Sequence, residues 1–151
     1  MKEQIVYLDS SSLVKRYVKE PGSKIAREVY LKAYSGELII AFNSWNIGEV
    51  LGAFDKAYVR GILSGKNYNV AKSKFLHEIR RLARLGVLRL IPVRFRLLVE
   101  GWRLLEKHHL YPADALQIVS AKEVNATEFL TGDERVYEAA KTEGLNAVLT
   151  I

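Results

Sequence analysis

The sequence predicts a single α/β domain in three layers, a central parallel β-sheet of about five strands flanked by helices on both faces. Short apolar runs without polar alternation recur along the chain, as strands buried on both faces require. Segments with apolar residues at helical spacing separate these runs, the alternation that parallel strands and crossover helices produce. The length of 151 residues suits one ordinary domain with its own core, and no linker, repeat or low-complexity stretch divides it, so residues 1–151 read as one unit.

Ile5-Val6-Tyr7-Leu8 is the first strand, and it ends at Asp9. Asp9-Ser10-Ser11-Ser12 supplies cap residues for a short helix carrying Leu13, Val14, Tyr17 and Val18. Pro21-Gly22-Ser23 punctuates the chain, and Ser23 is placed to cap a second helix with Ile25, Ala26, Val29 and Tyr30, which Ser35-Gly36 ends. Leu38 to Phe42 is the second strand. Asn43-Ser44 caps a third helix whose Ile47, Val50, Leu51, Phe54 and Tyr58 share a face. From about Tyr68 to Leu85 the residues Ala71, Phe75, Ile79, Leu82 and Leu85 recur at helical spacing, with Lys72, Arg80, Arg81 and Arg84 on the wet face and Gly86 as the stop. Val87 to Val93 is a third strand interrupted by Pro92, and a helix with Leu97, Leu98, Trp102 and Leu105 follows. Pro112 suits the first turn of the next helix, which carries Ala113, Leu116, Ile118, Val119 and Ala121. Thr127 to Thr131 is the fourth strand, Asp133 to Lys141 a helix, and Ala147 to Ile151 the last strand.

Composition narrows the chemistry. Hydrophobic residues make up 49% and charged residues 26%, the balance of a folded chain and not a disordered one. There is no cysteine, which excludes disulfides and thiolate metal or redox sites and suits a reducing cytosol. His77, His108 and His109 are the only imidazoles, too few for a histidine-rich metal centre. The run after Met1, Lys2, Glu3 and Gln4 is too short for a secretory signal, and no run approaches the ~18 apolar residues of a membrane span, so a cytoplasmic protein is expected. A net charge of +6 points toward a polyanion such as nucleic acid and equally suits a merely soluble basic protein.

In an open parallel sheet, ligands gather beyond the carboxyl ends of the strands where strand order reverses. Asp9 follows the first strand, Asp133 follows the fourth, and Asp114 falls in the first turn of the helix leading into that fourth strand. Glu49 lies on the helix after the second strand, in a phase opposite Ile47, Val50, Leu51 and Phe54, with Gly52 and Ala53 leaving room for something to pack beside it. Four carboxylates brought together repel one another unless a cation neutralises them. Their oxygens suit Mg²⁺ or Mn²⁺ better than zinc, and such ions support phosphodiester hydrolysis without a protein nucleophile. A plainer reading stays open for each: Asp9 and Asp133 as helix caps, Asp114 as a charge at a helix N-terminus, Glu49 as a solvated helix residue.

Tyr7-Leu8-Asp9-Ser10-Ser11-Ser12-Leu13-Val14-Lys15-Arg16-Tyr17, followed by Glu20-Pro21-Gly22-Ser23, resembles the opening of VapC-type PIN domains. The likeness continues in Ser44 with Glu49-Val50, in Asp114-Ala115-Leu116-Gln117, and in Leu130-Thr131-Gly132-Asp133 followed by Ala139, Ala140 and Gly144-Leu145. Between Tyr58 and Trp102 the match is only in being helical. The resemblance implies a PIN-like, flavodoxin-like fold and Mg²⁺- or Mn²⁺-dependent endoribonuclease activity on RNA. It implies Asp9, Glu49, Asp114 and Asp133 as the four catalytic, metal-binding acids, with Ser11 and Thr131 as their hydroxyl companions. It also implies a homodimer and, for a toxin, a cognate antitoxin. Gly132 departs from the family, where a larger residue is common.

Lys15 and Arg16 lie near the rim and suit RNA phosphate or a solvated helix face about equally. Arg80, Arg81 and Arg84 fit an RNA-facing stripe or a wet surface, and Trp45 and Trp102 fit base stacking or, as is commoner, core or interface. His108-His109 reads as a helix C-terminal pair and not a catalytic base. A haloacid-dehalogenase-type phosphohydrolase would need a second Asp two residues after the first, where this chain has Ser11. A non-catalytic PIN-like binding module would have lost an acid, and none is lost. A toxin and a housekeeping RNA-processing nuclease share one site and are not separated by sequence.

Overall fold

The computed structural model describes residues 3–151, so Met1 and Lys2, at the head of the stretch read above as carrying no signal, lie outside the described residues. Five strands alternate with seven helices among them: β1 Ile5–Leu8, α1 Ser10–Val14, α2 Ser23–Tyr34, β2 Ile39–Asn43, α3 Trp45–Val59, α4 Gly65–Arg84, β3 Leu88–Ile91, α5 Phe95–His108, α6 Pro112–Glu123, β4 Glu128–Thr131, α7 Glu134–Thr142 and β5 Ala147–Leu149. All strand pairs are parallel and the sheet order is β3-β2-β1-β4-β5. The chain therefore winds outward from β1 in one direction, then returns to lay β4 on its other side. That reversal puts the crevice between the carboxyl ends of β1 and β4.

Side chains along β1 alternate between two apolar layers, which is why the strand has no polar face. Ile5 and Tyr7 enter a core with α5, α6 and α7, where Leu97, Leu104, Ile118 and Phe129 are fully buried. Val6 and Leu8 enter the opposite core, with Leu13, Tyr30, Phe54, Phe75 and Leu82 from α1, α2, α3 and α4. Gly101 brings α5 onto α6, since a β-carbon there would stand 3.4 Å from that of Ala115.

Several expected boundaries shift for local reasons. Ser23 is the first helical residue of α2, with Gly22 as the cap, and its hydroxyl accepts from the Glu20 N–H at 3.0 Å and donates to the Val18 carbonyl at 3.3 Å. Ser44 makes no side-chain cap; Asn43 Oδ1 instead accepts from the Trp45 N–H at 2.8 Å. Ser64 caps α4 by accepting from the Asn67 N–H, so that helix starts three residues before Tyr68. Pro92 and Val93 lie beyond β3, which is an edge strand and not a buried one, and Thr150 and Ile151 lie beyond β5. No helix among the described residues is long and apolar enough to cross a membrane.

Candidate active site

Asp9 is 4% exposed at the end of β1, and the fold holds it from three sides. Its Oδ1 accepts from Ser11 Oγ at 2.6 Å and from the Ser12 N–H at 3.0 Å, while Oδ2 accepts from Thr131 Oγ1 at 2.6 Å. A carboxylate offers about four lone-pair positions, so Oδ2 keeps one for a further partner. Burial pushes the Asp9 carboxyl above the usual carboxylate range, and Asp133 adds to the rise, against the lowering effect of those hydrogen bonds. Ser11 Oγ also accepts from the Gly132 N–H at 2.8 Å and Thr131 Oγ1 from the Asp133 N–H at 3.1 Å. The two hydroxyls thus stitch the end of β4 to the start of α1.

Asp114 stands half-buried in the first turn of α6, its carboxyl raised to about 6. Burial is the largest cause, followed by the charges of Asp133, Asp9 and Glu49, with Arg135 opposing. Asp114 therefore senses all three of the other acids named from sequence. Glu49 accepts from Ser10 Oγ at 2.7 Å, which turns it toward α1. No side chain packs at Gly52, so the expected close neighbour is not there. Asp133 is exposed and caps α7 through Oδ1, accepting from Arg135 N and Val136 N at 2.8 and 3.2 Å.

The fold brings the four acids to one rim, but among the described residues no three His, Asp or Glu side chains converge closely enough to hold an ion. Asp9, Glu49 and Asp133 are each turned to a hydroxyl or N–H donor, and like charges without a cation between them gain nothing by closer approach. The capping reading is accordingly met for Asp9 and Asp133 alongside any other role.

The two rim cations named from sequence, Arg16 and Lys15, are engaged internally. Arg16 Nε and Nη2 reach the two Glu78 oxygens at 3.2 and 3.0 Å, and its guanidinium lies 4.9 Å from the Tyr30 ring centroid. Lys15 Nζ donates to the Pro21 carbonyl at 2.8 Å and lies 3.3 Å from Glu20. Its stem crosses Gly132, where a β-carbon would come within 3.0 Å of Lys15 Cε, so a larger residue there would have to shift the lysine stem. Arg16 and Lys15 thus each have internal partners, where the sequence offered RNA phosphate or a solvated helix face.

Beneath the rim lies a buried polar layer that sequence reading missed. Asn46 Nδ2 donates to Gln117 Oε1 at 2.7 Å and lies 3.4 Å from the Leu8 carbonyl. Tyr7 Oη donates to the same Gln117 oxygen at 2.8 Å, and Asn43 Nδ2 donates to Ser120 Oγ at 3.0 Å. Asn46 is one turn before Glu49, Leu8 adjoins Asp9 and Gln117 is one turn after Asp114, so one side chain links the three elements that carry those acids. The available signal was a polar residue four positions before Val50, on the face that α3 buries.

A three-layer parallel α/β fold with an acid-lined switch point defines the class. A family model described as PIN domain matches residues 6–142, and the chain belongs to the PIN-domain family. Among solved structures, PAE2754 from Pyrobaculum aerophilum is 16% identical over 96% of this chain and 84% of its own, with a TM-score of 0.66. VapBC2 from Rickettsia felis, bound to a DNA fragment from its promoter, is 18% identical over 97% and 98%, with a TM-score of 0.61. VapC20 from Mycobacterium tuberculosis, described as a sarcin-ricin loop cleaving toxin, is 14% identical over 93% and 95%, with a TM-score of 0.59. At these identities the likeness is one of fold. No curated protein sequence matches the chain.

Proposed function

We propose that this chain is a divalent-metal-dependent endoribonuclease and the toxin of a toxin–antitoxin pair. The observation that carries the nuclease reading is the place of Asp114 at the rim with Asp9, Glu49 and Asp133: its carboxyl is raised first by burial and then by the charges of those three acids, with Arg135 opposing. An oxygen-only donor set with surplus negative charge fits Mg²⁺ or Mn²⁺, the hard ions that prefer carboxylate and water. Asp9 and Asp114 would be the main ligands, Asp9 through the lone pair left on Oδ2, with Glu49 and Asp133 holding the ion directly or through water. The bound ion supplies an activated water and neutralises charge on the phosphoryl oxygens. Ser11 and Thr131 fix Asp9, and the layer through Asn46 and Gln117 keeps β1, α3 and α6 in register.

The toxin reading draws on two solved structures of the same fold, one described as a toxin and one as a toxin–antitoxin complex. A housekeeping RNA-processing role would use the same residues; a reading frame for a small DNA-binding protein beside this gene favours the toxin. A second copy of the chain is the further partner we propose. Trp45, Val93, Phe95, Val99, Trp102 and Tyr111 form an exposed apolar face around a cavity of about 240 Å³ lined by Trp45, Val93, Leu98, Pro112, Ala113 and Leu116.

The decisive experiment incubates the protein with total cellular RNA in Mg²⁺ or Mn²⁺, beside EDTA and Asp114→Asn controls. RNA is expected to be cut only by the unchanged protein with metal, and Mn²⁺ should raise its Tm but not that of Asp9→Asn. Intact RNA in both metals, with no metal-induced change in Tm, would overturn the reading.

A further inference from the structure

Helix α4 carries Lys66, Lys72, Lys74, Arg80, Arg81 and Arg84 against a single acid, Glu78, while the whole chain has a net charge of +6. Apart from this helix the chain is close to neutral. Glu78 does not offset its neighbours, because it is buried and bonded to Arg16 and to Tyr34 Oη at 2.6 Å. Lys72 lies 4.4 Å from the Tyr68 ring centroid. The remaining five cations are exposed, and among the described residues none has a carboxylate within ion-pair distance. Beyond α4 the balance differs: six of the eight Lys and Arg residues, Arg89, Arg94, Arg96, Arg103, Lys107 and Lys122, each lie 2.7 to 3.6 Å from a carboxylate.

At about 100° per residue, Lys66, Lys74, Arg80, Arg81 and Arg84 fall within an arc of about 120°, spread over about 27 Å of helix. The arc lies opposite Ala71, Phe75 and Leu82, which face the core. Between the cations the arc presents Ser73 and His77, and Val70 is its one apolar side chain. Like charges at Arg80 and Arg84, and at Arg81 and Arg84, are neighbours on the helix surface and repel. A one-sign strip of this length costs the free protein stability that an external polyanion recovers. An amphipathic peptide would ask for an apolar row, which the arc lacks; a nucleic-acid backbone asks only for spaced cations and small polar groups.

Direction favours the same partner. Rings on α3 and α4 pair in antiparallel order, Tyr58 with Tyr68 at 5.1 Å and Phe54 with Phe75 at 6.1 Å. Continuing that order, the arginine end of α4 runs back along α3 toward Glu49. We infer that the outer face of α4 is a track for the phosphate backbone of single-stranded RNA, holding substrate whose cleaved bond lies at the acidic rim. The inference rests on the ribonuclease reading for its substrate, but not for its test.

The test measures binding of labelled oligouridylate to Asp114→Asn protein, which holds RNA without cutting it, across a range of salt concentrations. For single strands, log K falls with log salt by about 0.7 for each phosphate neutralised. Replacing Arg80, Arg81 and Arg84 together by Ser should reduce that slope by about 2 and weaken low-salt binding about tenfold or more, with circular dichroism unchanged. Replacing the same three by Lys should keep the slope. In the otherwise unchanged protein the Ser variant should raise KM for long RNA and leave kcat alone. An unaltered slope and affinity in the Ser variant overturns the inference, even if the protein cuts RNA. So does polyglutamate binding as tightly as RNA with the same dependence on the three arginines, since the face would then serve an acidic protein. If no RNA is cut but the slope still falls in the Ser variant, the track stands and the nuclease reading fails.

Discussion

Arg16 and Glu78 join the end of the first helical segment to α4 with side chains 13% and 8% exposed. Burial alone would raise the Glu78 carboxyl, yet hydrogen bonds from Arg16 and Tyr34 and the Arg16 charge hold it below the ordinary range. Removing one partner of such a pair leaves an uncompensated charge in a poorly solvated place, whereas replacing both by apolar groups is often nearly neutral. Glu78→Ala should therefore cost about 3–5 kcal/mol in urea denaturation, and Arg16→Met with Glu78→Leu should recover most of it. If Glu78→Ala costs nothing, Arg16 is not held in place by Glu78 and its availability to RNA reopens. From sequence Arg16 looked like a rim cation because it lies seven residues after Asp9. Its partner is 62 positions away, on the helix where the sequence match was weakest. Asp9, Asp114 and Asp133 were legible because strand ends and a helix first turn are local signals; Asn46 was not, because its worth depends on Leu8 and Gln117 meeting it in space.

At the level of elements, the helices behind the acids are tied together at their far ends by Glu143, the residue that closes α7. Its side chain is 3% exposed and accepts from Arg103, Lys107, His108 and Lys122 at 2.9 to 3.2 Å, binding the ends of α5 and α6 to α7. Burial opposes ionisation of Glu143, but these four donors win and hold its carboxyl well below the usual glutamate range. A depressed carboxylate contributes stability that is whole above the unfolded pKa, about 4.3, and fades as pH falls through the lower folded value. Glu143→Gln should thus be less stable than the unchanged protein by about 1–2 kcal/mol at neutral pH, with the gap starting to narrow below about pH 5 and still closing below about pH 3. Parallel stability curves over that range would show that Glu143 is not the staple. Elements themselves were readable wherever pattern and punctuation agreed. The Glu20-Pro21-Gly22-Ser23 turn is an example: Gly22 has φ 94° and a β-carbon there would come within 2.3 Å of the Thr150 carbonyl oxygen. The motif was visible in sequence, but its reason, a strand end from the other terminus of the chain, was not. The third strand was overextended for a related reason, since only the sheet order makes it an edge.

For the molecule as a whole, the apolar face beside the acids is the feature that a single copy leaves unexplained. Phe95 is 72% and Tyr111 71% exposed, and Phe95 and Trp102 meet edge to face at 6.1 Å as an aromatic pair standing in solvent. Exposed aromatics gathered in one patch mark an interaction surface more often than single exposed residues do. The face also adjoins the chemistry, because Trp45 opens the helix that carries Glu49 and Tyr111 caps the helix that carries Asp114. A second copy seated there about a two-fold axis would set two acidic rims side by side and remove the patch from water. Phe95→Glu with Trp102→Glu places two charges in the middle of that contact, where desolvating them without partners is costly. The expected result in sedimentation velocity is a dimer for the unchanged protein and a monomer for the double variant. The variant's Tm should be independent of protein concentration, while that of the dimer rises with it. Sedimentation of the unchanged protein as a monomer across the micromolar range would remove the second copy as the occupant of this face.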